Sequence, residues 1–373
     1  MITISDQFDS GNIRVLNAHS ANNIELEIRK DNASDFFQWF HFRLETQVGE
    51  RCHITIKNCA QSAYPGGWEN YHICTSYDRQ NWFRTPTSYE NGELRFELEM
   101  LQSSVYFAYF APYSHERHLD LVAWAEADTR VINETLGQSL DGNAMHLLTI
   151  SDTPTPKQKV WMIARQHPGE TMAEWLIEGF LQALLDEDNP LANKLLQSTA
   201  FYVVPNMNPD GSIRGNLRTN AAGANLNREW LEPSMENSPE VFLVRQRMMQ
   251  TGGDLFLDIH GDEALAYNFV AGSEGAPNFT EQILKQQNDF KAAFLSISPD
   301  FQTKFGYPID EAGKADLRIA TNWLGNQFKA LSFTLEMPFK DNDKLPNKLT
   351  GWSPERSAQL GADMLFPISQ HFK

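Results

Sequence analysis

The sequence predicts two units in series: an antiparallel β-sandwich over residues 1–113, then an α/β unit over residues 114–373 whose mainly parallel, mixed sheet is flanked by helices. Three observations lead there. Up to about residue 112, short stretches alternate apolar and polar side chains with a period of two and are separated by turn residues. From about residue 115, apolar strand-like runs alternate with stretches of helical spacing. The chain has 373 residues, 41% hydrophobic and 12% aromatic, enough for two cores of ordinary size.

In the first unit the alternating stretches are 37–44 (FQWFHFRL), 53–57 (HITIK) and 94–100 (LRFELEM). Asp31-Asn32, Pro65-Gly66-Gly67 and Asn91-Gly92 separate them, and such residues supply the backbone angles of turns. The run 105–112 (VYFAYFAP) is the longest apolar one. It reads as a buried strand and is far too short to cross a bilayer.

In the second unit, 159–164 (KVWMIA) is a strand that leads into a His-Pro-Gly-Glu turn. Residues 172–185 (MAEWLIEGFLQALL) carry apolar side chains at helical spacing, and Thr171 stands where an N-cap belongs. Residues 200–204, 254–259 and 330–335 are further buried strands. Helices are predicted over 238–251, 278–296, 315–327 and 353–366.

Composition excludes several classes of function. A formal net charge of −17 argues against nucleic acid, whose binding needs a basic face. The three cysteines, Cys52, Cys59 and Cys74, form no disulfide framework and suit a reducing compartment. Although His53 and His72 lie nearby in sequence, these cysteines read as small buried hydrophobes, not a second metal site. Residues 1–11 lack the basic start and apolar core of a secretory signal. The expectation is a soluble cytoplasmic protein with no nucleic-acid or membrane partner. The oligomeric state is not legible.

Four residues carry the chemistry. His167 and His260 fall where strands end, and Glu336 ends another, the edge at which open α/β sheets gather ligands. Glu170 lies three residues after His167, across Pro168-Gly169. Proline fixes its φ and glycine tolerates unusual angles, so this turn can fold both side chains onto one point. Two imidazoles and a carboxylate are the donor set of a catalytic zinc with a position left open for water. Asp258, two residues before His260 on one strand, faces the same way and is placed to orient a histidine ligand. Glu336 shares the polar side of its strand with Ser332 and Thr334. A carboxylate there must be paired, metal-associated or catalytic, and burial would raise its pKa toward that of a working base. Between the ligands, the loop 208–230 carries Arg214, Arg218 and Arg228, forks suited to carboxylates.

These residues resemble the M14 zinc carboxypeptidases, specifically their cytosolic carboxypeptidase branch. The matching motifs are HPGE at 167–170, NPDG at 208–211, NLNR at 225–228, DIHG at 258–261 and SFTLE ending at Glu336. They stand in the family's order, and the His₂Glu donor set is that of carboxypeptidase A. The leading unit, with FQWFHFRL, YDRQNWFRTPT and YFAYFAPYS, resembles the extra domain that precedes the catalytic domain in that branch.

The resemblance implies one Zn²⁺ per chain on His167, Glu170 and His260, with Glu336 as general base and then proton donor to the leaving amine. Arg218 would stabilise the oxyanion, and Asn227 with Arg228 would clamp the terminal carboxylate of a peptide or protein tail. The family's mobile tyrosine would fall near Lys314, where this sequence has none; Tyr307 is the nearest candidate. The branch prefers acidic C-terminal residues, Glu or Asp, read by a basic side chain. Here the segment AGKADLR offers Arg318, with Lys314 behind it. Arg165, Arg214, Arg218, Arg228 and Arg318 are expected to focus positive potential at the cavity mouth. The alternative is a small-molecule amidohydrolase of the same fold, like aspartoacylase or succinylglutamate desuccinylase, which shares the ligands and the Asn-Arg pair but not usually the leading sandwich.

Overall fold

Alternation along Arg51–Ile56 sends Cys52, Ile54 and Ile56 inward and leaves Arg51 and His53 outside, which makes one face of a sheet apolar. That face closes on a second sheet. The first sheet orders Thr3–Ser5, His41–Glu45, Ser104–Ala108, Ile73–Ser76 and Phe83–Thr85; the second orders Arg14–Ser20, Asn23–Glu27, Arg51–Ile56, Glu93–Glu99 and Thr87–Glu90. Phe96 of the second meets Phe107 of the first with ring centroids 5.1 Å apart, and burying each such ring is worth roughly 1.5–3 kcal/mol. The computed structural model describes residues 2–373, so Met1 of the stretch read for a leader lies outside it. Among the described residues the pairings of this sandwich are antiparallel except Asn23–Glu27 with Arg51–Ile56, which is parallel. Between those two strands the chain crosses to the other sheet through His41–Glu45 and returns in the same direction.

The second unit holds a seven-stranded mixed sheet flanked by helices, in the order Val131–Gln138, Ala144–Ile150, Thr199–Val204, Gln158–Ala164, Leu255–Asp262, Leu331–Pro338 and Phe269–Ala271. The four strands from Thr199–Val204 to Leu331–Pro338 run parallel, and the flanking pairings are antiparallel. Leu331–Pro338 is buried throughout, as a parallel strand covered on both faces must be. Helix Met172–Leu185 packs closely on Pro354–Asp363, where Gly179 and Gly361 let the backbones approach.

The helix predicted over 315–327 starts only at Ala320. Asp316 Oδ1 takes the backbone N–H of Arg318 at 3.0 Å, a local bond that competes with a helical turn. Residues 302–319 run as a loop. Thr171 does not cap its helix through its side chain: its hydroxyl donates to Ala111 O at 2.8 Å and ties the helix start to the end of the leading unit. Buried Arg84 donates to His72 O, Phe339 O and Trp352 O (2.8, 2.8 and 3.1 Å), fastening the first sheet to the chain that follows Glu336. The three cysteines are buried and free, their thiols pushed up by burial, Cys59 to about 12. No helix among the described residues is long and apolar enough to cross a membrane.

Candidate active site

The sheet delivers its functional side chains at one edge. Strand Gln158–Ala164 ends at buried Arg165, whose φ of 59° turns the chain sharply into the 167–170 turn. Its guanidinium then holds that turn from behind, donating to Pro168 O (2.9 Å) and Tyr113 O (2.8 Å) and pairing with buried Glu174. Gly169 is required by a close approach and not by an unusual angle. Its N–H donates to Leu217 O at 2.9 Å, and a Cβ would sit 3.0 Å from that oxygen. Asn208 adds a further tie, donating to Gln166 O at 3.0 Å.

His167, Glu170 and His260 come together as a buried group whose candidate donor atoms lie within 4.8 Å of one another, the one such group among the described residues. His167 Nδ1 lies 2.6 Å from Glu170 Oε1, and His260 Nδ1 lies 2.7 Å from Glu170 Oε2. The opposite nitrogens are also engaged: His167 Nε2 lies 3.0 Å from Asn225 Oδ1, and His260 Nε2 lies 2.8 Å from Asp258 Oδ2. Asp258 is itself held by Gln166 Nε2 (2.7 Å), and Gln166 by Trp230 Nε1 (2.8 Å). With the imidazole protons at Nε2, two Nδ1 lone pairs and a carboxylate face one point. A divalent cation satisfies all three, so the donor set fits a metal.

The electrostatics follow from the same neighbours. Burial alone would push Glu170 up, but the two imidazoles override it and hold the carboxylate low. Burial would push His260 down, yet Asp258 and Glu170 lift it well above the usual histidine range. His167, flanked by one carboxylate fewer, is driven by burial and then by Arg218 down to about 4.

Glu336 is the register partner of His260 on the neighbouring parallel strand. It is 6% exposed, its Oε2 has no hydrogen-bond partner, and burial raises its pKa well above the carboxylate range. Both residues open onto a cavity of about 610 Å³.

The other predicted residues divide. Arg218, Asn227, Arg228 and Tyr307 line the cavity. Asn227 Oδ1 accepts Ala320 N–H at 2.9 Å, which orients its amide. The Tyr307 hydroxyl donates to Asp262 Oδ2 at 2.6 Å, and its ring meets Phe269 edge-on at 5.0 Å. Arg318 and Lys314 do not line the cavity. The Arg318 side chain is 60% exposed and grips Asp316 at 2.8 Å, the partner its own local turn supplies. Arg165 is buried behind the ligand turn and Arg214 pairs with Asp141 at 2.7 Å, so of the five arginines only Arg218 and Arg228 reach the cavity. Its lining holds Arg218, Arg228, Lys291 and Lys304 against Glu170, Asp262, Glu263, Glu274, Asp310 and Glu336. The predicted basic mouth is therefore a mixed one.

Sequence reasoning missed what the leading unit contributes. Asp31, 4% exposed, accepts the backbone N–H groups of Leu217 (2.6 Å), Arg218 (2.8 Å) and Thr219 (3.0 Å). Phe36 and Tyr64 seat the Arg218 guanidinium, 5.7 and 5.2 Å from its carbon. The turn signal at Asp31-Asn32 was visible, but nothing local told which distant backbone it would bind.

Comparison with known proteins matches residues 4–110 to the cytosolic carboxypeptidase N-terminal domain and residues 119–358 to zinc carboxypeptidase. An uncharacterized protein of Zymomonas mobilis is 50% identical over 369 residues, 99% of this chain and 96% of its own. The metallo-carboxypeptidase of Burkholderia cenocepacia is 49% identical, with a TM-score of 0.98 over 100% of this chain and 99% of that one. The metallo-carboxypeptidase of Pseudomonas aeruginosa, solved with (2-guanidinoethylmercapto)succinic acid, is 46% identical, with a TM-score of 0.97 over 99% and 98%. Human cytosolic carboxypeptidase 1 is 28% identical over 73% of this chain, which spans only 26% of that protein's length.

Proposed function

The chain belongs to the zinc carboxypeptidase family and carries the N-terminal domain of its cytosolic branch; on that basis we propose that it removes the last residue of peptides or protein tails, using one zinc on His167, Glu170 and His260. The observation that carries this reading is the pairing of a converging three-donor group with a buried carboxylate one strand away, Glu336, whose Oε2 has no hydrogen-bond partner. Zinc bound there would supply Lewis acidity, polarising the scissile carbonyl and acidifying water.

The chain's own residues do the rest. Glu336 takes a proton from the attacking water and returns it to the leaving amine. Its raised proton affinity, caused first by burial, suits a group that must hold the proton between those events. Arg218 has no carboxylate in salt-bridge contact among the described residues, which leaves its guanidinium free to donate to the developing oxyanion. Ala320 N–H occupies Asn227 Oδ1, which leaves Nδ2, 3.4 Å from His260 Nε2, to serve the terminal carboxylate together with Arg228. Tyr307 covers the bound residue from the 302–319 loop.

For an acidic C-terminal side chain, Arg318 stands in the wrong place. Half-buried Lys291 replaces it in this proposal: it lines the cavity and is only loosely matched by Glu274 at 3.8 Å. Residues 1–113 act as a domain that builds one wall of the catalytic domain, 114–373. A cytoplasmic location fits three free buried thiols.

The test is a peptide library varied in its last two residues, incubated with zinc-loaded protein or with chelator and read by mass spectrometry. Zinc-dependent loss of one C-terminal residue, fastest for Glu or Asp, supports the reading. Cleavage confined to N-acyl amino acids would replace it with the amidohydrolase.

A further inference from the structure

One carboxylate of the cavity has no part in this mechanism. Glu263, three residues past His260, lines the cavity and is 6% exposed. Its Oε1 is buried with no hydrogen-bond partner. The residue is held in place by the leading unit. Gly67 packs so close that a Cβ there would come 2.9 Å from Glu263 O and 3.1 Å from its Cβ. A buried carboxyl left without a partner is unfavourable, and such a group is retained where a ligand brings the missing donor.

Its neighbours say where that donor lies. The charges that act on Glu263 are Glu170, Arg218 and Asp262. Gly67, against which Glu263 packs, donates its N–H to Tyr64 O at 2.8 Å, and the Tyr64 ring seats the Arg218 guanidinium at 5.2 Å. Glu263 thus stands beside Arg218, which in the proposed mechanism faces the carbonyl of the residue before the scissile bond. A peptide held by Arg228 at its last residue directs its preceding residue toward Glu263. Asp262 lines the cavity next to Glu263 and adds negative charge there, which favours a cation over a neutral amide. The net charge of −17 draws cations to the molecule at long range.

We propose that Glu263 binds a cationic nitrogen on the N-terminal side of the scissile bond, either the α-ammonium of a dipeptide or the side chain of a basic penultimate residue. The inference rests on the carboxypeptidase reading above and adds a second specificity position to it.

The experiment measures binding by calorimetry to zinc-loaded Glu336→Gln protein, with and without Glu263→Gln. The probes are Ala-Glu against N-acetyl-Ala-Glu, and N-acetyl-Lys-Glu against N-acetyl-norleucine-Glu. The first pair reads the α-ammonium and the second the side chain. With Glu263 present, the cationic member of at least one pair binds about tenfold tighter, the size of one charge-assisted hydrogen bond. With Glu263→Gln that advantage falls below about twofold, while N-acetyl-Ala-Glu binds as before. Glu263→Asp, which keeps the charge, retains part of the advantage and stands in if the glutamine variant does not fold. Equal binding within both pairs, or an advantage that survives loss of the charge, overturns the inference alone. Absence of binding by every peptide overturns the carboxypeptidase reading with it.

Discussion

His260 and Glu336 are register partners on adjacent parallel strands, Leu255–Asp262 and Leu331–Pro338. The spacing of a candidate metal ligand and a candidate base is therefore set by a hydrogen-bonded ladder in a buried sheet. Sites built on such elements keep their geometry better than sites on loops. Each other part of the site is tied to this pair by a contact that can be broken separately.

Asp258 is placed to orient His260 toward the proposed zinc. Asp258→Asn removes the charge 2.8 Å from His260 Nε2. Zinc affinity, measured by competition with a chromogenic chelator, is expected to fall about 10–100-fold, the usual effect of losing such a partner. Unchanged affinity would show that the bond is not needed to orient the ring.

Asp31 acts through Arg218. Asp31→Asn weakens the anchor of the 217–219 backbone. The expected cost is about tenfold in kcat/KM, as for loss of one charge-assisted anchor, with zinc content unchanged. In an Arg218→Ala background the same substitution should cost almost nothing. Additive losses in this double-mutant cycle would place the effect of Asp31 elsewhere.

Arg228 and Arg318 should separate cleanly. Arg228→Ala is expected to raise KM by about 10–100-fold, as the loss of a charged hydrogen-bonding partner does. Arg318→Ala, at a surface ion pair with Asp316, should leave kcat/KM within about twofold. A large loss on Arg318→Ala would return it to the role the resemblance implied.

Glu240 sets a pH dependence of stability away from the chemistry. It is fully buried, and burial raises its pKa to about 7. The folded state binds its proton more tightly than the unfolded chain, so its stabilising contribution is full below pH 4.5 and lost as pH rises through 7. Above that, an ionised Glu240 costs on the order of 3 kcal/mol. Glu240→Gln, still able to accept from Asn220 Nδ2, is expected to raise Tm by several degrees at pH 8 and not at pH 5. Equal effects at both pH values would refute the assignment.

The convergence of His167, Glu170, His260 and Glu336 was legible because these residues lie at strand ends marked by apolar runs, and strand ends of one parallel sheet share an edge. Asp258 was legible because strand periodicity puts residues 258 and 260 on one side. Sequence reasoning misplaced Arg318 because side-chain direction in the 302–319 loop depends on Asp316 and not on any period. It was silent on Asp31 and Glu263, whose meaning arises from backbone brought in across the sequence, Leu217 to Thr219 in one case and Gly67 in the other. It misread Gly169, where the need is room for Leu217 O.

The most direct test is the turnover of Glu336→Gln set beside its zinc content. One zinc per chain is expected, as in the wild type, with a kcat for C-terminal cleavage lower by at least about 10³-fold, within the range that proton transfer contributes. Retained turnover with zinc bound would contradict that expectation, because among the described residues Glu336 is the carboxylate in register with His260.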